Sequence, residues 1–584
     1  MANASSPAND QSSTARYRVE SSAPAPATAP LVPGPAPLRP VAVLVVHGMG
    51  QQVPFETLDM VAEGLRKFGR VSSNPIARSV QIGDQRLQRL ELSAFDERGA
   101  ARDVHVYEAY WAPFTEGRVT LRDVVTFLLG GARDGINQGW KPFRRWLFGQ
   151  YAHFPSPVRT VLYLIVAAAV IISLAVLNTI IVTMAAAQAP FVSHPGWLTR
   201  ALFSDVTTIL NVVLAVYLMF GVSVLASMWR HAVFGWVSII TCVLALWATI
   251  TAGVVAVMDV AYHVRSADGG SPLFGGPRWR EFDLLVGAAL LGVTAVAGVI
   301  GLVRFIWRVK RAFADNSEQK ARTFWMLAAC VLIGVGVAWV AVWVGARAFP
   351  AAPIGPWLRR ACFGISWPLM VGVAWMVRGF LIQYVGDVAV YVQSNTLDRF
   401  YDLRQQIKSC VWKTAHAVYS QQPAYESIVM VGHSLGSVLI YDTLNQLLSD
   451  EVLVSGAPSV AVRTELLLTF GSPLDKTAFL FGAQGGRGQS KEAREALAAA
   501  VQPLISRAAV REEIPWINIF SSWDLISGSL DYYDLPKDAT PPGPARVRNI
   551  PDPEATTLLA AHTEYWQNAL VYRTILKALH CQVA

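Results

Sequence analysis

The chain is 584 residues long, 53% apolar and 15% charged, with 49 Lys and Arg against 41 Asp and Glu and a net charge of +8. This is more apolar than a soluble domain normally is, and the excess sits between residues 160 and 385. The positive charges flank apolar runs and build no separate basic domain, which excludes a nucleic-acid partner.

Residues 1–39, rich in Ala, Pro and Ser, read as a disordered tail or linker. Residues 40–135 have an α/β pattern. An apolar strand at 41–46 runs into His47-Gly48-Met49-Gly50, a helix begins near Phe55, a hairpin joins 86–93 to 103–111, and a helix starts at about Thr120. Within an interfacial segment over 136–160, residues 139–151 mix Trp, Phe, Lys and Arg, which predicts a helix lying at a membrane surface.

Six long uncharged runs follow, at 161–187, 206–228, 233–258, 284–303, 324–344 and 361–377. Each is near the roughly 20 residues a helix needs to cross a bilayer. They predict an all-α transmembrane block of about six helices within 161–384, with both flanks on one side because the number is even. Lys and Arg gather before the first run (Lys141, Arg144, Arg145, Arg159) and between the fourth and fifth (Arg304, Arg308, Lys310, Arg311, Lys320, Arg322). The positive-inside rule then predicts a multi-pass protein of a bacterial-type inner (plasma) membrane with both termini cytoplasmic, and no cleavable signal peptide opens the chain.

Residues 385–584 return to strands and helices. A helix over 398–420 leads to the apolar strand 427–431, then to Gly432-His433-Ser434-Leu435-Gly436 and a helical stretch over 437–448. A strand turning sharply into a helix holds such a serine in a strained conformation, its Oγ exposed at the helix N-terminus, with small neighbours leaving room. Two more apolar strands, 465–470 and 515–520, lead to Asp475 and Asp524. A short strand at 546–550 precedes His562 and a helical segment over 564–579.

With its His-Gly and Gly-His-Ser-Leu-Gly motifs, the chain resembles the α/β-hydrolase superfamily, of the lipase and esterase type, over about 40–130 and 385–584. The resemblance implies a mostly parallel α/β sheet, interrupted here by the membrane block, and a triad ordered Ser, acid, His. Ser434 would be the nucleophile, His562 the base, and Asp524 the acid that orients it, with Asp475 as the alternative. The N–H groups of Leu435 and of Gly48 or Met49 would hold the oxyanion. Asp531 and Asp534 lie further into a loop, Glu108 precedes the serine, His580 is four residues from the end, and His47 and His433 read as structural.

The implied function is a membrane-bound serine hydrolase that cleaves carboxylic esters through an acyl-serine intermediate. A tether to the bilayer would favour lipid or other amphiphilic esters, with the bilayer itself as a partner. The alternative is a noncatalytic membrane scaffold, transporter or receptor with a hydrolase-like ligand-binding domain. No metal or cofactor is expected, since the five cysteines lack short pair spacing, the ten histidines lack a metal-binding pattern, and no Walker-type loop occurs. A lid over 476–512 and the oligomeric state stay open.

Overall fold

Every side chain of the strand Val41–Val46 is buried, which a strand reaches only when both faces of its sheet are covered. The computed structural model describes residues 18–19, 39–49, 52–71, 74–115, 143–155, 398–484, 489–524, 526–556 and 561–584, with a few isolated positions besides. Within these, β1 (Arg18–Val19), β2 (Val41–Val46), β3 (Ile76–Ile82), β4 (Gln85–Phe95), β5 (Ala101–Ala109), β8 (Ile428–His433), β9 (Thr464–Phe470), β10 (Trp516–Phe520) and β11 (Arg548–Pro551) form one sheet. The strands β6 (Phe143–Leu147) and β7 (Gln150–Phe154) form a separate hairpin.

The nine-stranded sheet is mixed, in the order β1-β3-β4-β5-β2-β8-β9-β10-β11. The strands from β5 through β2, β8, β9 and β10 to β11 are parallel neighbours, whereas β3, β4 and β5 meet antiparallel. Sequence-distant halves therefore join at the centre, where β2 lies between β5 and β8. This join brings the turn after Val46 beside the turn after β8.

Alternation along β2 divides the core. Ala42, Leu44 and Val46 face α2 (Asp398–Ser420) and α3 (Leu435–Leu453), with Ile407, Val411, Val438 and Leu439 among their neighbours. Val41, Val43 and Val45 face α1 (Glu56–Phe68) and the C-terminal helix Ala569–Ala578. α1 turns Leu58, Val61, Ala62 and Leu65 inward at helical spacing and leaves Glu63 and Arg66 in water. A fully buried Val or Leu contributes about 1.5–3 kcal/mol, so both helices are held by the sheet.

Among the described residues, no helix is long and apolar enough to cross a membrane. This corrects the expected transmembrane bundle and the multi-pass membrane location that rested on it. The two longest described helices are too charged to span a membrane: α2 has 23 residues but carries Asp398, Arg399, Asp402, Arg404, Lys408 and Lys413, and α3 has 19 but carries Asp442, Asp450 and Glu451. The six apolar runs themselves lie, apart from isolated positions, outside the described residues, as does most of the helix expected from Thr120.

The interfacial helix expected at 139–151 is also corrected, since residues 143–154 are the β6–β7 hairpin. Phe148 and Gly149 have φ of 47° and 87°, the paired positive values of a two-residue hairpin turn. Its aromatic and basic groups dock on protein: Phe143 lies 4.9 Å from the Tyr532 ring, and Arg145 donates to Tyr532 O at 2.9 Å and stacks over Tyr533. After β9 come α4 (Leu474–Gln484), α5 (Gln489–Ala500), α6 (Pro503–Ser506) and α7 (Ala508–Glu513). After β11 come α8 (Ala561–Glu564) and α9 (Ala569–Ala578).

Candidate active site

Ser434 stands between the end of β8 and the start of α3 with φ 54° and ψ −129°, a backbone region that L-residues rarely occupy and that costs on the order of 1–3 kcal/mol. Its neighbours hold it there. The Ser434 N–H donates to Phe470 O at 3.1 Å, and its carbonyl accepts Ser437 N–H at 3.0 Å and the Ser437 hydroxyl at 2.5 Å. Gly436 is required by close approach, because a Cβ there would sit 2.2 Å from Val46 O and 2.4 Å from His47 O. That contact lets α3 abut the end of β2.

The side chains of Ser434, His562 and Asp524 form one continuous chain. His562 Nε2 lies 2.7 Å from Ser434 Oγ, and His562 Nδ1 lies 2.8 Å from Asp524 Oδ2. With Asp524 ionised, Nδ1–H donates to the carboxylate and Nε2 accepts from the serine hydroxyl, the tautomer a general base needs. Burial pushes the Asp524 carboxyl up. The hydrogen bond and charge of His562 outweigh it, helped by the Ile526 N–H and the Ser527 hydroxyl, and hold it down at about 2. Asp524 is therefore an anion at neutral pH.

Turn 47–49 is pinned beside the serine. Trp111 N–H donates to His47 Nε2 at 3.1 Å, Trp111 Nε1–H donates to His47 O at 3.0 Å, and the two rings stack at 5.0 Å. His47 Nδ1–H is then free to donate to Gly48 O at 2.9 Å. Burial lowers this imidazole to about 4, so it stays neutral and keeps that tautomer. In a trans peptide the Met49 N–H points opposite to the Gly48 carbonyl, away from His47. Gly48 lies so close to Ser434 that a Cβ on it would be 2.7 Å from Ser434 Cβ. Leu435 is the first residue of α3, where an N–H has no acceptor within the helix.

The other sequence-derived candidates lie elsewhere. Asp475, on the first turn of α4, accepts the N–H groups of Asp531 at 2.9 Å and Tyr532 at 3.2 Å, and makes no contact with His562. Asp534 pairs with buried Arg511 at 2.9 Å, and His580 meets Glu465 at the surface. His433 is buried and neutral, pushed down to about 3 by burial and by the neighbouring His562, and its Nε2–H donates to the His562 carbonyl at 2.8 Å. The expected exposed Oγ is not found: Ser434 is 1% exposed, covered by Gly48 and His562.

Sequence reasoning missed three supporting groups. Lys476 donates to the carbonyls of Ile526 at 2.7 Å and Ser527 at 3.2 Å, securing the loop beyond Asp524. Tyr565 reaches Asp524 itself. The Ser437 and Ser472 hydroxyls meet at 2.6 Å beside the turn at Ser434. Lys476, Tyr565 and Ser472 carry no local motif, because each acts through a partner distant in sequence.

Among the described residues, no group of three His, Cys, Asp or Glu side chains is placed to hold a metal ion. Comparison of the chain with protein-family models, with curated proteins and with solved structures finds no match. The functional reading therefore rests on the geometry of the site.

Proposed function

We propose that the protein is a serine hydrolase of the α/β-hydrolase type, which cleaves carboxylic esters through an acyl-serine intermediate. The observation that carries this reading is the unbroken chain from Ser434 Oγ through His562 to ionised Asp524, with the serine on a positive-φ turn. A serine hydroxyl is a poor nucleophile until an adjacent imidazole takes its proton.

As Ser434 Oγ attacks the ester carbonyl, His562 Nε2 accepts its proton and Asp524 stabilises the imidazolium. The N–H groups of Leu435 and of Gly48 or Met49 receive the oxyanion, a contribution of order 10²–10³ in rate for each donor in such sites. The tetrahedral adduct collapses, His562 returns the proton to the leaving alcohol, and water activated by the same base releases the acid. No cofactor enters.

The test is labelling of the full chain by a small fluorophosphonate. Wild type is expected to label, and Ser434→Ala and His562→Ala to lose labelling while keeping the wild-type melting transition. Folded wild type that stays unlabelled by the smallest probe, or Ser434→Ala that labels like wild type, overturns the reading and favours a noncatalytic ligand-binding domain.

A further inference from the structure

One hydroxyl gathers three groups of the loop after β10. The Ser521 N–H reaches Tyr565 OH at 2.8 Å, the Ser527 hydroxyl lies at 3.0 Å, and Asp524 Oδ2 lies at 3.1 Å. A phenol has one proton to give and two lone pairs to receive. The Ser521 N–H can only donate, so it occupies one lone pair. Asp524 is an anion and can only accept, so it takes the phenol's proton. The Ser527 hydroxyl, which also faces Asp524, lies beside the second lone pair, so the Ser521 and Asp524 bonds are the two whose directions are fixed.

Tyr565 follows His562 by three residues, on the turn Tyr565–Gln567 that continues α8. One short stretch thus carries both the base and the group that grips the base's acid partner. Asp524 Oδ2 receives two donors, His562 Nδ1–H and the Tyr565 hydroxyl, while Oδ1 receives the Ile526 N–H at 2.8 Å. The ring is fully buried, 6.0 Å from Phe470 and 6.4 Å from His433. Loss of the hydroxyl alone would therefore leave the packing in place and release the loop.

We propose that Tyr565 is a positioning residue of the active site: its hydroxyl fixes Asp524 Oδ2 against His562 Nδ1 and moderates how strongly the carboxylate holds the imidazolium. This rests on the serine-hydrolase reading. A carboxylate oxygen that shares its charge between two donors binds each less tightly than one that serves a single donor. Removing the phenol proton both loosens Asp524 and strengthens its pull on the proton of His562.

The test compares wild type with Tyr565→Phe in the full chain by two readouts, the pH profile of fluorophosphonate labelling and the low-field proton resonance of the His562 Nδ1–H. Tyr565→Phe is expected to fold, to label roughly ten- to hundredfold more slowly at neutral pH, as befits a lost hydrogen bond to a charged group, to show its acid limb at higher pH, and to move the resonance. An unchanged rate and limb, or a slower rate with the limb and resonance in place, overturns the proposal, since a purely structural tyrosine would give the latter. Should wild type not label, the hydrolase reading fails, and the resonance alone decides: moved in Tyr565→Phe it upholds the coupling, unmoved it overturns it. If Tyr565→Phe does not fold, a ring-fluorinated tyrosine at position 565 keeps the packing and makes the hydroxyl a stronger donor to Asp524. A shift of the limb and resonance in the opposite direction then supports the proposal, and no shift overturns it.

Discussion

The loops after β9 and β10 begin alike and end differently. Each strand closes on a phenylalanine, Phe470 or Phe520, and each loop carries an aspartate within five residues, Asp475 or Asp524. After β9 a helix starts almost at once, so Asp475 falls on the first turn of α4 and faces the turn at 531–532. After β10 no helix intervenes; Asp524 N–H closes a turn onto Ser521 O, and the carboxylate meets His562. Their titrations shift in opposite directions accordingly. Burial raises the Asp475 carboxyl well above its usual range, whereas His562 holds that of Asp524 at about 2. The backbone conformation just past the strand, and not the carboxylate itself, decides whether the aspartate meets the turn at 531–532 or His562.

The sharpest break of this comparison is Asp524→Asn. An amide cannot stabilise the imidazolium and favours the wrong tautomer, so labelling at Ser434 should fall roughly 10³–10⁴-fold with the fold retained. The variant should also change the acid side of the stability curve. A carboxyl held below its unfolded value of about 3.9 stabilises the native state above that pH, and this contribution is lost as pH falls toward 2. Urea melts between pH 5 and pH 2 should therefore show a shallower loss of stability for Asp524→Asn than for wild type.

A third carboxylate extends the contrast to the N-terminal half. Glu108 lies near the end of β5 with both oxygens buried and no well-formed hydrogen bond among the described residues. Burial pushes it up to about 7, opposed by Thr57 and the backbone of Phe55 and Leu58 at the start of α1. The native state then binds a proton that the unfolded chain has already released, so stability falls as pH rises from about 4.5 to about 7. The loss is on the order of 3 kcal/mol. Glu108→Gln should abolish this decline in urea melts at pH 5 and pH 8 and leave labelling intact; an unchanged slope would mean that Glu108 is already ionised.

The legible parts of the fold were those buried on both faces. Strands at 41–46, 427–431, 465–470 and 515–520 read as continuous apolar runs because helices cover each side of the sheet. The elbow was legible because a small residue at position 436 is a steric demand of the β2–α3 contact. Composition misled at 139–151, where Trp, Phe and Arg read equally well as a membrane-surface helix and as a docked hairpin. The discriminating sign was the Phe148-Gly149 turn between two short aromatic stretches. The segment 564–579 reads as one helix by periodicity, yet Asn568, buried and bonded to Asp552 at 2.8 Å, ends the turn at Tyr565–Gln567 and starts α9. Tyr565 was invisible for a related reason: its hydroxyl partners lie 38 to 44 positions away.

Asp475 supplies the smallest effect and the test of the rule itself. Both of its oxygens serve backbone N–H groups at the turn Asp531–Tyr533, next to Arg145, which bonds Tyr532 O. Asp475→Ala strips these N–H groups of their acceptor and should cost about 1–3 kcal/mol in a denaturant melt. Asp475→Asn keeps one acceptor oxygen without a charge that burial already disfavours, so it should cost less. It should also remove the decline in stability that a raised carboxyl imposes as pH rises through its titration. Both variants should label within about tenfold of wild type, less than about 1.4 kcal/mol at the transition state. If Asp475→Asn instead loses as much labelling as Asp524→Asn, the carboxylate after β9 serves the base, and a helix placed directly after a strand does not decide the role of its aspartate.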